Sequence, residues 1–189
     1  MEEWHKWFWF SESPKKTICP SDNYIYNVSE EIVEYTKHIL IEYGTGLNPT
    51  EGIVYWGGER KNNVITVKSV IAPKTRAYTA RIEVDQKSNF EFVKALNKLN
   101  QVQVAQVHSH PGNFIDHSRG DDEWCAFKFN GLISIVVANY CSRGLLPLEA
   151  CGIHRFEYED FIRLSRTYIR KHFCIVKDVS VNLIDLRNE

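Results

Sequence analysis

No stretch of the chain approaches the ~18 consecutive apolar residues that a membrane-spanning helix needs. The opening MEEWHKWFWF carries Glu2, Glu3, His5 and Lys6 where a secretory leader would have an apolar core. Neither a membrane protein nor an exported one is expected. The five cysteines (Cys19, Cys125, Cys141, Cys151 and Cys174) are odd in number, widely spaced and without a CxxC pair. That excludes a disulfide framework and a cysteine zinc knuckle, and it predicts a reducing, cytoplasmic setting. Charge of one sign is lacking as well. With 23 basic residues against 24 acidic ones and a net charge of -1, no footprint for nucleic acid or an anionic membrane is expected. HExxH, the Pro-Cys-x-x-Cys of the zinc deaminases, the P-loop and the GxSxG elbow are all absent.

What the chain does have is material for a core: 189 residues, 43% hydrophobic and 13% aromatic, enough for one domain and too much for a disordered protein. Residues 1–28 are dense in aromatics (Trp4, Trp7, Phe8, Trp9, Phe10, Tyr24, Tyr26) broken by turn signals, and read as an extension packed on a domain spanning 29–189. Such aromatics either fill a groove of their own chain or, where exposed, mark a surface for a protein partner.

Within the domain, Ser29 with Glu30 and Glu31 opens an amphipathic helix that Gly44 ends. Glu51 to Gly58 and Val64 to Ile71 read as strands, 73–79 as an irregular connection, Arg81 to Val84 as a short strand and Ser88 to Asn100 as a second helix. Leu132 to Tyr140 is almost wholly apolar, the mark of a strand buried on both faces. Glu149 to Tyr158 reads as a strand, Glu159 to Phe173 as a helix and Cys174 to Leu186 as a last strand. Helices and strands interleave without repeats. The expected fold is a single α/β domain, a mixed curved sheet flanked by helices.

The stretch QVQVAQVHSHPGNFIDHSRGDD, Gln101 to Asp122, concentrates the chemistry. Along a strand ending at His110, alternate side chains share a face, so His108 and His110 can reach one ion together. A catalytic zinc keeps three protein ligands and an open position, so a carboxylate or a further His or Cys must join them. Asp121 is the candidate. Pro111 stops the ladder, the Gly- and Asn-containing loop turns the chain back, and Ser118 opens a helix with Asp121 on its own face. Asp116, His117 and Asp122 crowd the same loop and could substitute as ligands, but they are read as supporting or solvent-facing residues. A lone HxH is more often a hydrogen-bonded surface pair, and Ser118-x-x-Asp121 is also the pattern of a capping box, which would compete for Asp121.

His108, Ser109, His110 and Pro111, followed after six residues by Ser118 and then Asp121, resemble the zinc signature of the JAB1/MPN/Mov34 metalloenzymes, the JAMM or MPN-plus domains. That family also has a Glu near the start of an upstream strand, and TEGIVYWGG supplies Glu51 there. Glu42 and Glu59 are its competitors. The resemblance covers roughly Ser29 to Glu157 and implies a cytidine-deaminase-like JAMM fold with one zinc per chain on His108, His110 and Asp121. It makes Glu51 the proton carrier and Ser118 a donor to the oxyanion. It further implies a hydrolase, a metalloprotease that cleaves after the C-terminal tail of a ubiquitin-like protein, as a deubiquitinase-like isopeptidase or a precursor processor. The segment 73–79 and the loop 111–118 would flank that tail. The compact length is closer to bacterial and archaeal members, among them deconjugases encoded beside ubiquitin-like conjugation enzymes in antiviral operons. Two alternatives stay open: a metallopeptidase trimming the tail of a sulfur-carrier protein, and a non-catalytic MPN scaffold, which would purify without metal.

Overall fold

A computed structural model of the protein describes residues 15–79, 81–177 and 179–188. The chain enters with β1 (Thr17–Ile18) and β2 (Ile25–Ser29), and Ser29 then accepts the Ile32 N–H to cap α1 (Glu30–Gly44). The apolar stripe of α1, with Ile32, Val33, Ile39 and Leu40, is buried. β3 (Ile53–Lys61) and β4 (Val64–Ala72) pair antiparallel, and β5 (Thr75–Tyr78) and β6 (Arg81–Val84) form a separate two-stranded hairpin. Asp85 caps α2 (Gln86–Lys98), which leads into β7 (Val102–Ser109). The short α3 (Arg119–Trp124) and β8 (Ile133–Val137) follow, then β9 (Gly152–Glu157), β10 (Asp160–Leu164), α4 (Arg166–His172), β11 (Phe173–Val176) and β12 (Asn182–Asp185).

Among the described residues, ten strands form one curled mixed sheet in the order β1-β10-β9-β8-β7-β3-β4-β2-β11, with β12 also on β4. β7 and β8 are central, and β8 is buried along its whole length, as its unbroken apolar run requires. α1 covers one face, where the Trp56 indole donates to Thr36 Oγ1 at 2.8 Å inside the main core cluster. On the other face Phe92 and Leu96 of α2 pack against Ile53, Tyr55 and Ile71 in a second cluster. The expected single α/β domain with a mixed curved sheet between helices is the observed architecture. Among the described residues no helix is long and apolar enough to cross a membrane, and all five cysteines are free.

Several boundaries differ from the expectation. The extension expected over 1–28 gives its end to the sheet: β2 pairs with β4 and β11, and Tyr26 stacks on Phe173 with ring centroids 4.4 Å apart. The aromatics Trp4, Trp7, Phe8, Trp9 and Phe10 lie outside the described residues. The connection 73–79 contains β5, and the expected strand Cys174 to Leu186 is two short strands, β11 and β12. The helix that Ser118 opens stops at Trp124. There the chain straightens so that Phe127 meets the rings of Tyr55 and Phe92.

The helix expected over Glu159 to Phe173 is a strand and then a helix. Tyr158 and Glu159 turn β9 into β10 with φ of 51° and 70°, the backbone of a two-residue hairpin that Asn-Gly or Asp-Gly usually announces. Ser165 then caps the shorter α4 by accepting the Tyr168 N–H at 3.1 Å. Because Tyr158 is 88% exposed, replacing it costs no packing. Tyr158→Asn combined with Glu159→Gly is expected to stabilise the protein by about 1 kcal/mol, through relief of two left-handed residues. Chemical denaturation checks this, and an unchanged or lower midpoint contradicts it.

Candidate metal centre

β7 and β3 run antiparallel with Ile53 opposite His108 and Val54 opposite Val107. Beyond the strands the pairing continues: Ser109 N–H donates to Gly52 O at 3.0 Å, and Gly52 N–H donates to Ser109 Oγ at 3.1 Å. This register sets Glu51 level with His110. Residues directly opposite in an antiparallel pair point to the same face, so Glu51, His108 and His110 share one side of the sheet. All three are buried, at 2%, 2% and 0% exposure. A one-residue slip would send Glu51 to the other face.

After Pro111 the loop brings the chain back to Ser118, whose Oγ accepts the Asp121 N–H at 3.2 Å while Ser118 N–H donates to Asp121 Oδ2 at 2.7 Å. The capping box and the ligand reading of Asp121 do not exclude each other. The same carboxylate that closes the cap lies 3.4 Å from His108 Nε2 and 3.2 Å from His110 Nε2, so the cap fixes its aim. The two Nε2 atoms are 3.2 Å apart. His110 Nδ1 lies 3.0 Å from Phe114 O, and donating there leaves the Nε2 lone pair directed into the cluster. Nitrogen and oxygen ligands at about 2.0–2.1 Å from a tetrahedral ion stand about 3.3 Å apart; the two imidazole nitrogens match this, and a different Asp121 oxygen stands near that distance from each, Oδ1 from His108 and Oδ2 from His110. His108, His110 and Asp121 can hold a metal ion.

The electrostatics fit a cation. Burial opposes ionisation of Asp121, but His108 and His110 outweigh it and hold the carboxyl well below the usual range. Glu51 goes the other way, pushed up to about 9 by burial and then by the charge of Asp121. Its Oε1 is buried and has no hydrogen-bond partner among the described residues. Without a positive charge beside it, this side chain is a neutral acid at pH 7. A cation on the cluster reverses that preference.

Behind the cluster runs a polar chain. Cys125 Sγ lies 3.0 Å from Phe127 O and 3.3 Å from Gln106 Oε1, Gln106 Nε2–H donates to Ser134 Oγ, and Ser134 Oγ–H to His117 Nε2 at 2.7 Å. His117 Nδ1–H donates to Asp122 Oδ1 at 2.9 Å, and Lys15 Nζ donates to Asp122 Oδ2 at 2.5 Å. Burial, stronger than the pull of Asp122, pushes the His117 imidazole down to about 4, so it is neutral, as this donor and acceptor pattern requires. Asp116, also buried, accepts from His154 Nε2 at 2.5 Å and from Lys15 N–H at 3.0 Å.

Asp116, His117 and Asp122 therefore brace the loop, and none belongs to the His-His-Asp group. Their partners Lys15, Ser134 and His154 are far away in the chain and carry no local signal. Glu42 and Glu59, the competitors of Glu51, are taken up in surface ion pairs with Arg187 and Lys68. The loop's path depends on Gly152 of β9, where a Cβ would lie 1.5 Å from Ile115 O.

The β5–β6 hairpin forms the near wall: Glu51 N–H donates to Tyr78 O at 3.0 Å. Ile82 and Val84 line a narrow cleft of about 40 Å³ with His108 and Asp121.

No protein-family profile matches the chain, and no curated protein does. Among solved structures, protein DSY2949 from Desulfitobacterium hafniense is similar to it, with a TM-score of 0.59 over 82% of this chain and 95% of that one, at 16% identity. The likeness is one of fold.

The raised Glu51 has a measurable consequence in metal-free protein. Because the folded state holds a proton that the unfolded chain gives up near 4.5, the contribution of Glu51 is fully present below that pH and is lost as pH rises through about 9. Stability of chelated protein is expected to fall across this window by up to about 1.4 kcal/mol per pH unit, and Glu51→Gln should remove that slope. Urea denaturation at several pH values tests it; an equal slope in both proteins contradicts the assignment.

Proposed function

We propose that this protein is a zinc-dependent peptidase of the JAMM type. It cleaves after the C-terminal tail of a ubiquitin-like protein, freeing it from a conjugate or trimming its precursor. The observation that carries this reading is the buried Glu51 carboxyl, its Oε1 without a partner among the described residues, on the same sheet face as His108 and His110 and under the charge of Asp121, the group that could hold a metal. Those are the residues that the signature pattern names.

Bound zinc supplies Lewis acidity toward the scissile carbonyl and lowers the pKa of a coordinated water to about 7. His108, His110 and Asp121 hold the ion, with Asp121 kept in place by its cap and His110 by Phe114 O. Glu51, ionised once a cation lies beside it, takes a proton from the attacking water and delivers it to the departing amine. Ser118 Oγ accepts from Asp121 N–H, and its own hydroxyl hydrogen can be donated to the oxygen on which negative charge develops. Among the described residues β6 pairs only with β5. An extended tail can add to its open edge through main-chain hydrogen bonds, and the narrow cleft at His108 favours small residues next to the scissile bond.

Purified protein is expected to carry about one zinc per chain and to cleave ubiquitin-like fusions until treated with chelator. Glu51→Gln should keep its zinc and lose about 10²–10⁴-fold in turnover, whereas Asp121→Ala should lose the zinc itself. Metal analysis beside gel-based cleavage tests this. Cleavage that survives both the chelator and Glu51→Gln overturns the mechanism.

A further inference from the structure

The turn that follows β8 has an unusual backbone. Asn139, Tyr140 and Cys141 all adopt left-handed φ, at 53°, 52° and 63°. Asparagine enters that region readily, but tyrosine and cysteine do so at a cost. Residues strained in this way persist where their surroundings hold them, and they gather at functional sites. Here the loop after β7 does the holding: Asn139 N–H donates to Gly112 O at 2.9 Å and Tyr140 N–H to His110 O at 2.8 Å. The end of α1 makes room, since a Cβ on Gly44 would lie 2.3 Å from Tyr140 Cβ.

The turn carries the Tyr140 ring to the β5–β6 hairpin. Its hydroxyl donates to Thr79 O at 3.1 Å, one residue beyond the Tyr78 carbonyl that accepts the Glu51 N–H. Tyr140 and Glu51 are near enough that the carboxylate charge, after burial, raises the phenol above its usual range.

Among the described residues the hairpin pairs with no strand of the main sheet. At its open end the Tyr43 hydroxyl meets Thr75 Oγ1 at 3.1 Å, and Ile82 and Val84 rest on the second core cluster. Near its turn the Glu51 N–H and the Tyr140 hydroxyl tie it to the body of the protein. Tyr140 is thus joined to the backbone of His110 through its N–H and to the hairpin through its side chain.

We propose that Tyr140 is a positioning residue whose hydroxyl latches the tip of the β5–β6 hairpin and so fixes where the β6 edge stands relative to His108, His110 and Asp121. Its consequence for catalysis rests on the peptidase reading: the latch sets how well an extended tail is received at that edge, and the rate of bond cleavage does not depend on it. The strain at Tyr140 and the glycine at position 44 are then the conditions for aiming this one ring.

Two variants of the full chain separate the latch from the turn. Tyr140→Phe removes the hydroxyl and keeps the ring, whereas Tyr140→Asn removes both and suits the left-handed backbone better than tyrosine. In chelated, substrate-free protein both are expected to speed amide hydrogen exchange about fivefold at Glu51 and along β5 and β6, the effect of one hydrogen bond, and to leave β7 unchanged. With the ubiquitin-like fusion cleaved by the wild-type protein, both should raise KM about fivefold at unchanged zinc content and unchanged kcat. Exchange in Tyr140→Phe equal to that of the wild type overturns the latch, and so does Tyr140→Asn behaving as wild type, which assigns residue 140 to the turn alone. A KM that stays put while the hairpin loosens, or a fall in kcat in its place, overturns the role in receiving the tail. If the wild type cleaves no such fusion while hairpin exchange changes as expected, the latch stands and the peptidase reading falls.

Discussion

The register between β3 and β7 is the constraint on which the rest of the site depends. Ile53 opposite His108 makes Glu51 the counterpart of His110, and the exchange between Gly52 and Ser109 holds that pairing past the end of the ladder. Side-chain direction in a sheet has a period of two, so the pairing leaves no intermediate arrangement. The core enforces it from both sides, since Val54 and Trp56 fill the cluster under α1 while Ile53 and Tyr55 fill the one under α2. Hydrophobic packing thereby delivers a carboxyl group to a place it would avoid by itself.

Asp121 reaches the cluster by a different physical route. It belongs to a helix of six residues, too short to be stable alone. The reciprocal cap with Ser118 and the buried chain from Cys125 through His117 to Lys15 hold it instead. From Gln106 onward each member of that chain donates to the next, up to a carboxylate that also receives a lysine. A network of this kind keeps a loop in one conformation where an apolar contact would tolerate several. Gly152 adds a steric condition, because the loop carbonyl at Ile115 occupies the space of a side chain on β9.

The two ends of the sheet show one physical signature with different chemistry. At one end Glu51 Oε1 lacks a donor, and at the other the Arg155 Nε–H and the Gln103 Nε2 lack acceptors among the described residues. Folding has removed water from these atoms without supplying a protein partner for them, which is uncommon for buried polar atoms.

The sequence by itself determined the α/β class, the long helices and the central strands, because periodic apolar patterns and caps such as Ser29 are local properties. It also marked His108, His110 and Asp121 as a candidate group, through their spacing together with their resemblance to a known signature, since strand alternation and a helix cap act over only a few residues. It misjudged the region from Tyr158 to Phe173, where a hairpin is made by residues with no turn preference and β10 is held by its pairing with β9 and β1. Tertiary structure alone decided that Glu51 is buried with its Oε1 unpartnered among the described residues, and that Lys15 and His154 brace the loop more than thirty residues away. Those facts depend on which strands lie side by side and on how far water is excluded between them, and neither is encoded in any short stretch of the chain.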